Sequence, residues 1–143
     1  AADAMPEDKY NFAPTNGDFK GVRTFGEQVR HVAAANYIIA AAILGEAKPP
    51  VDTAGESGPA SMTSKADIMK YLKDSFAYMH KAYSSITSEQ KGMEMAKNPF
   101  GPGQMPKMAL VLIQAGHPFD HYGQMVEYLR MNNIIPPASR PRK

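Results

Sequence analysis

Cysteine is absent from the 143-residue sequence, and its absence excludes several kinds of chemistry at once. Without thiols the chain cannot form disulfides, bind zinc through thiolates or use a cysteine nucleophile. A membrane-spanning run is also missing, because the longest apolar stretch, Tyr37 to Leu44, has only eight residues. We therefore expect one domain over residues 1–143 that spans no membrane and buries a hydrophobic core.

Excess charge of one sign is also lacking. The 16 Lys and Arg residues and 14 Asp and Glu residues leave a formal net charge of +2. The basic residues are dispersed except at Arg140, Arg142 and Lys143, in a tail over 136–143 that is predicted to be irregular. Binding to nucleic acid would need a larger basic cluster along the phosphates. The charge pattern therefore argues against a nucleic-acid partner.

Strand-like alternation and internal repeats do not stand out, whereas helical periodicity is strong, so the chain is predicted to be all-α. Thr24 and Glu27 have the spacing of a capping box that begins a helix over residues 25–44. Gly45 is placed to end this helix in the left-handed conformation. The helix is apolar on nearly every side, so its neighbours should bury it.

A second helix is predicted after Ser64, beyond a glycine- and proline-rich loop over 45–63. Its apolar stripe consists of Ile68, Leu72, Phe76, Met79, Tyr83 and Ile86. A short third helix is predicted over Thr87 to Lys97 from a weaker pattern.

Histidine occurs only four times, and two of the four lie on the last predicted helix. This helix should run from Pro106 to about Asn132, with a kink at Pro118. His117 and His121 are four residues apart, so both imidazoles lie on one helical face. Such a pair can share a metal ion, although an isolated pair is more often a surface or capping coincidence.

His31, near the start of the first predicted helix, completes a three-imidazole site if the two helices pack side by side. Three neutral imidazoles with an open fourth position suit zinc, and also nickel, iron(II) or manganese. Such an ion lowers the pKa of bound water and makes hydroxide available at neutral pH. Glu27 is a candidate to orient His31, and Asp120 is a candidate for a similar role or for a general base.

The remaining candidates have ordinary alternatives. Tyr37 and Tyr122 are candidates to line a pocket, although aromatic side chains more often fill a core. His80, on the second predicted helix, is expected to be a partly exposed bystander. The ten methionines fall at helical spacing and are expected to fill the core rather than bind metal.

Several segments match one known family in their order and spacing. They are Met5 to Tyr10, Thr24 to Ala33, Asn36 and Tyr37, His117 to Gln124, Tyr128 to Arg130, and Ile135 to Ser139. Together they resemble the DinB/YfiT-like superfamily. The resemblance implies a four-helix bundle that holds a divalent ion on His31, His117 and His121. We expect this ion to be zinc or nickel ahead of iron or manganese.

The resemblance also implies a range of activities. Some members resemble thiol-dependent transferases that use low-molecular-weight thiols, and others resemble metal-dependent hydrolases. The leading hypothesis is therefore a metal-binding protein with a small-molecule or thiol substrate, whose loop 45–63 covers the site. Several proteins of the same bacterial branch look exported, which favours an exported or periplasmic location over a cytoplasmic one.

Two features depart from the family pattern. Pro118 is not expected between the paired histidines, and only four residues precede Met5, where the family has a full helix. The bundle is therefore expected to lack most of its first helix and to expose apolar faces, which favours a homo-oligomer. The alternative hypothesis is a non-catalytic structural or assembly protein that self-associates through these helices.

Overall fold

The computed structural model describes residues 1–141 and contains three long helices. They are α1 (Phe25–Leu44), α2 (Lys65–Ser84) and α4 (Lys107–Met131), with the short helix α3 (Glu89–Met93) before α4. Single 3-10 turns lie at Ala2–Ala4, Glu7–Lys9 and Pro137–Ser139. Arg142 and Lys143, part of the tail that was predicted to be irregular, lie outside the described residues.

The two ends of α1 follow directly from its sequence. The Thr24 hydroxyl accepts a hydrogen bond from the Glu27 amide at 3.3 Å, and the Glu27 carboxylate accepts one from the Thr24 amide at 2.8 Å. At the other end Gly45 has φ 74°, and its amide donates to the carbonyls of Ala41 and Ala42. The predicted capping box and glycine end are confirmed.

Helix α1 is the centre of the molecule, because it packs against both α2 and α4 and 15 of its 20 residues are buried. One apolar cluster lies around its N-terminal half, and a second lies around its C-terminal half. The first includes Met5, Tyr10, Phe25, Val29, Ile68 and Leu129, and the second includes Ile39, Ile43, Met79 and Leu110. The N-terminal segment therefore contributes to the core as an integral part of the fold.

A buried polar ladder crosses the three long helices. The side-chain nitrogen of Gln114 donates to the side-chain oxygen of Asn36 at 3.1 Å. The side-chain nitrogen of Asn36 donates to the Ser75 hydroxyl at 3.1 Å. Ser75 in turn donates to the Leu72 carbonyl at 2.7 Å, and the Tyr83 hydroxyl donates to Gln114. Because each buried polar group needs its partner, this ladder fixes the register of α1, α2 and α4.

A short antiparallel hairpin between α3 and α4 was not predicted. Strand β1 (Met95–Lys97) pairs with β2 (Gln104–Pro106), with Ala96 opposite Met105. The predicted third helix is therefore wrong beyond Met93. Strands of three residues are too short to display alternation, and only Ala96 of β1 is buried. The helical character of the chain as a whole was predicted correctly.

An apolar groove lies between α2 and α4, over the side of α1. It has a volume of about 430 Å³ and will be called the α2/α4 groove. Its lining includes Met69, Leu72 and Phe76 of α2, Phe119 and Tyr122 of α4, and Val29 and Val32 of α1. Phe76, which belongs to the apolar stripe predicted for α2, is 38% exposed because it lies at this groove.

Within residues 1–141, no helix combines the length and apolar character that crossing a membrane requires.

Candidate metal centre

The structure brings the three predicted histidines together. His31 comes from the second turn of α1, and His117 and His121 come from the middle of α4. The Nε2 atom of His117 lies 3.0 Å from Nε2 of His31 and 3.1 Å from Nε2 of His121. The three candidate ligand atoms therefore converge on one point between the two helices.

Burial keeps these imidazoles neutral. His31 is 5% exposed, His121 is 6% exposed, and His117 is half-buried. Burial lowers the pKa of all three rings, and the neighbouring imidazoles of His117 and His31 help to lower the pKa of His121 to about 4. A neutral imidazole is the form that binds a metal ion, so the site is in a ligating state at neutral pH.

The outer nitrogens of two rings are held by carbonyl oxygens. Nδ1 of His31 donates to the backbone carbonyl of Glu56 at 2.6 Å, and Nδ1 of His121 donates to the side-chain oxygen of Gln28 at 2.5 Å. A carbonyl oxygen only accepts, so each Nδ1 carries the proton of its neutral ring. The lone pairs of both Nε2 atoms therefore point towards His117.

These contacts leave His117 with a hydrogen-bonding conflict. Its Nε2 has at most one proton and can donate to only one of its two neighbours, so the Nε2 lone pair of the other neighbour is left without a donor. Its Nδ1 is buried without a hydrogen-bond partner among the described residues. A cation between the three Nε2 atoms removes the conflict, because three lone pairs then face one positive charge.

The two Nε2–Nε2 distances from His117 fit such an ion. Two imidazole nitrogens bound at about 2.0–2.1 Å to one ion are about 2.9 Å apart at a right angle and about 3.4 Å apart at a tetrahedral angle. The two separations of 3.0 and 3.1 Å fall within this range. Three nitrogen donors suit zinc, nickel, iron or manganese, so these residues fit the divalent ions predicted from the sequence.

The prediction that Glu27 orients His31 is wrong. The Glu27 carboxylate binds the Thr24 amide and lies 3.7 Å from Arg30, because its place in the capping box turns it back towards the start of α1. The backbone carbonyl of Glu56 orients His31 instead. A backbone carbonyl in a long loop has no residue-type signature, so sequence reasoning had no means of finding this contact.

Asp120 does not contact an imidazole directly. Its carboxylate accepts a hydrogen bond from the Gln124 amide at 3.0 Å, and Gln124 accepts one from Gln28 at 2.8 Å. Sequence reasoning missed both glutamines. The available signal was spacing, since Gln28 precedes His31 by three residues and Gln124 follows His121 by three residues on the same helical faces.

Tyr37 and Tyr122 do not form one pocket beside the histidines. Tyr37 packs against Tyr71 and Tyr78, with ring centroids 5.2 and 5.6 Å apart, and lines a pocket towards α2. Tyr122 lines the α2/α4 groove. The reason is helical phase, because Tyr37 follows His31 by six residues and lies on a different face of α1.

Pro118 lies inside a helix and His80 lies at the surface, as the sequence predicts. Pro118 is inside α4, where its ring lines the α2/α4 groove, and it leaves His117 and His121 on a shared face. His80 is exposed on α2, away from the three-histidine cluster.

Side-chain hydrogen bonds from α1 and α2 hold the loop over 45–63 in place. The Arg30 guanidinium donates to the carbonyls of Pro59 and Met62 at 2.9 and 3.3 Å, and the Tyr71 hydroxyl donates to the Asp52 carbonyl at 3.1 Å. A cavity of about 530 Å³ lies beside this loop. It is lined by Ile38, Thr53, Gly55, Glu56, Pro99 and Phe100. Glu56 of this loop therefore both holds His31 and lines the cavity, whereas none of the three histidines lines it.

Comparison with known proteins agrees with this geometry. A sequence model of the DinB superfamily matches residues 1–125, a range that contains all three histidines. The chain belongs to the DinB superfamily. The resemblance predicted from the sequence is therefore confirmed.

A solved relative supports the same fold. The crystal structure of a DinB-like protein from Bacillus cereus ATCC 10987 is similar to this chain, with a TM-score of 0.72 and 16% sequence identity. The similarity covers 99% of this chain and 85% of that one. A search of curated proteins found no match. At this identity the likeness to the DinB-like structure establishes the helical fold alone.

Proposed function

We propose that this DinB-superfamily chain binds one divalent metal ion on His31, His117 and His121, with zinc or nickel ahead of iron or manganese. The observation that carries the proposal is the convergence of three Nε2 atoms, two of which belong to rings whose Nδ1 atoms are occupied by carbonyl oxygens. Rings held in this tautomer have their ligating lone pairs preorganised, which is how proteins raise the affinity of a histidine site.

We further propose that the site acts on a small molecule, as a metal-dependent hydrolase or a thiol-dependent transferase. When bound, an ion on three histidines supplies Lewis acidity that polarises an oxygen or sulfur atom or activates water. The chain itself supplies Glu56, whose backbone carbonyl holds His31 and which also lines the neighbouring cavity. The family membership supports the proposal.

The binding proposal is tested by titrating metal-stripped protein with Zn²⁺ or Ni²⁺. We expect wild-type protein to bind about one ion per chain, and His117→Ala to weaken binding by more than about 100-fold, because it removes a ligand. His80→Ala is the matched control, since it removes an exposed histidine from α2. Equal affinity of His117→Ala and wild-type protein would contradict the proposal.

The activity proposal is tested with metal-loaded protein on a panel of esters, amides and electrophiles, with and without a low-molecular-weight thiol. Turnover that requires the thiol identifies a transferase, and turnover without it identifies a hydrolase. Both activities should be lost in His117→Ala and kept in His80→Ala. Metal binding without any turnover would instead favour the non-catalytic alternative.

A second observation supports self-association. Leu112 and Phe119 on α4 are 67% and 77% exposed, and no charged residue lies between Lys107 and Asp120. This uncharged face adjoins the α2/α4 groove, and large exposed apolar surfaces usually mark interfaces. We propose that the face of α4 that contains Leu112 and Phe119 binds a second copy of the chain, whether or not the metal site is catalytic.

A further inference from the structure

Four side chains form a continuous hydrogen-bonded chain from the buried site to the surface. Nδ1 of His121 contacts the Gln28 oxygen, the Gln28 nitrogen donates to the Gln124 oxygen, and the Gln124 nitrogen donates to the Asp120 carboxylate. Gln28 is 2% exposed, whereas Asp120 lies at the surface. A solvent-facing carboxylate is thus connected to a buried imidazole through two amides.

This chain has a direction, because an amide side chain has one donor end and one acceptor end. An ionised carboxylate only accepts, so Asp120 requires the nitrogen of Gln124. The oxygen of Gln124 then faces Gln28, which must present its own nitrogen. The oxygen of Gln28 is left for His121, whose Nδ1 must therefore be the donor.

Reversing the direction of these hydrogen bonds would be unfavourable at Asp120. If both amides turned over, the Gln28 nitrogen would donate to Nδ1 of His121, and the proton of the neutral ring would lie on Nε2, where it blocks the ligating lone pair. The Gln124 oxygen would then face the Asp120 carboxylate, which brings two acceptors together. The carboxylate therefore disfavours the tautomer that cannot bind metal.

We propose that Asp120 is a positioning residue that sets the tautomer of His121 through Gln124 and Gln28. Its importance for metal binding rests on the proposed function. The tautomer itself is a property of the metal-free protein, so it is measurable whether or not an ion binds.

The test compares Asp120→Asn with wild-type protein. An asparagine side chain can donate or accept, so it no longer fixes the direction of the hydrogen bonds between Gln124, Gln28 and His121. NMR of the imidazole nitrogens in metal-free protein should show His121 protonated at Nδ1 in wild type and a mixture of tautomers in the variant. The dissociation constant for Zn²⁺ should rise by about 10- to 100-fold. Glu127→Gln is the matched control, since it removes one carboxylate of the same helix that pairs with Arg130.

A second variant separates direction from charge. In Asp120→Asn/Gln124→Glu the new carboxylate accepts from Gln28, so the Nδ1 tautomer of His121 and the Zn²⁺ affinity should return to wild-type values. If Asp120→Asn keeps the Nδ1 tautomer and binds Zn²⁺ like Glu127→Gln, the inference is overturned. If wild-type protein binds no Zn²⁺, the metal proposal fails, and the tautomer measurement still decides the role of Asp120.

Discussion

At the scale of single residues, the three histidines differ in how their outer nitrogens are held. His31 and His121 donate to carbonyl oxygens, whereas Nδ1 of His117 is buried without a partner among the described residues. A buried polar atom without a hydrogen bond costs about 1–3 kcal/mol. The His117 ring is therefore the least constrained of the three, and its position should depend most on the ion that we propose for the site.

The lowered pKa values predict that the metal-free protein loses stability in acid. The pKa of His121 falls from 6.5 in the unfolded chain to about 4 in the fold, mainly because the ring is buried. As the pH falls from about 6.5 to about 4, the unfolded chain therefore takes up a proton that the folded chain does not, and the free energy of unfolding decreases. Denaturant unfolding between these pH values measures the effect.

Substitution of two histidines checks this assignment. His121→Gln removes one of the three buried imidazoles and should reduce the dependence of stability on pH, whereas His80→Gln, at an exposed position away from the site, is the matched control. A pH dependence that is the same in both variants would contradict the proposed origin.

At the scale of elements, loop 45–63 depends on a close approach to α1. Gly58 has φ +71°, and a Cβ atom added to it would lie 2.8 Å from Cβ and 3.0 Å from the carbonyl oxygen of Arg30. Gly55 has a similar φ of +67°, but a Cβ atom there would meet nothing within 4 Å. Substitutions at these two glycines therefore separate the cost of backbone strain from the cost of a clash with Arg30.

We predict that Gly58→Ala destabilises the protein more than Gly55→Ala does. Both substitutions place alanine in the left-handed region, at about 1–2 kcal/mol, and the clash with Arg30 should cost Gly58→Ala about 1–3 kcal/mol more. Because the shifted loop moves the Glu56 carbonyl away from His31, Zn²⁺ affinity should also fall. Unfolding and Zn²⁺ titration measure these effects, and equal results for the two variants would refute them.

Some of the secondary-structure elements could be predicted from the sequence, and others could not. Local signals located α1, since Thr24 and Glu27 fix its start and Gly45 fixes its end. The hairpin at Met95–Lys97 was missed because its strands are too short for alternation. The hydrogen bond between His31 and the Glu56 backbone could not be predicted, because every residue type supplies a backbone carbonyl.

At the scale of the whole molecule, the pairing of α1 with α4 could not be derived from residue spacing. The spacing of His117 and His121 predicted a shared face, but the place of His31 opposite them depends on helix packing across the core. The family resemblance supplied that information. The exposure of Phe76 at the α2/α4 groove also depends on tertiary packing, since its periodicity alone predicted only that it belongs to the apolar stripe.

The exposed face of α4 predicts an oligomer. We expect wild-type protein to have a mass in solution larger than one chain, and Leu112→Glu to dissociate it, because a charge would be buried in an apolar interface. Ile135→Glu is the matched control, since Ile135 is also an exposed aliphatic residue, 59% accessible, but lies beyond the end of α4. Light scattering gives the mass, and a monodisperse wild-type monomer would contradict the prediction.

We propose that three histidines from two helices form one metal site. The most direct test of this proposal is the metal content, by mass spectrometry, of wild-type protein purified without an affinity tag, beside His121→Ala. We expect about one divalent ion per chain in wild-type protein and its loss in the variant. Wild-type protein that contains no metal and takes up none from Zn²⁺ or Ni²⁺ would contradict it, as would equal metal content in the two proteins.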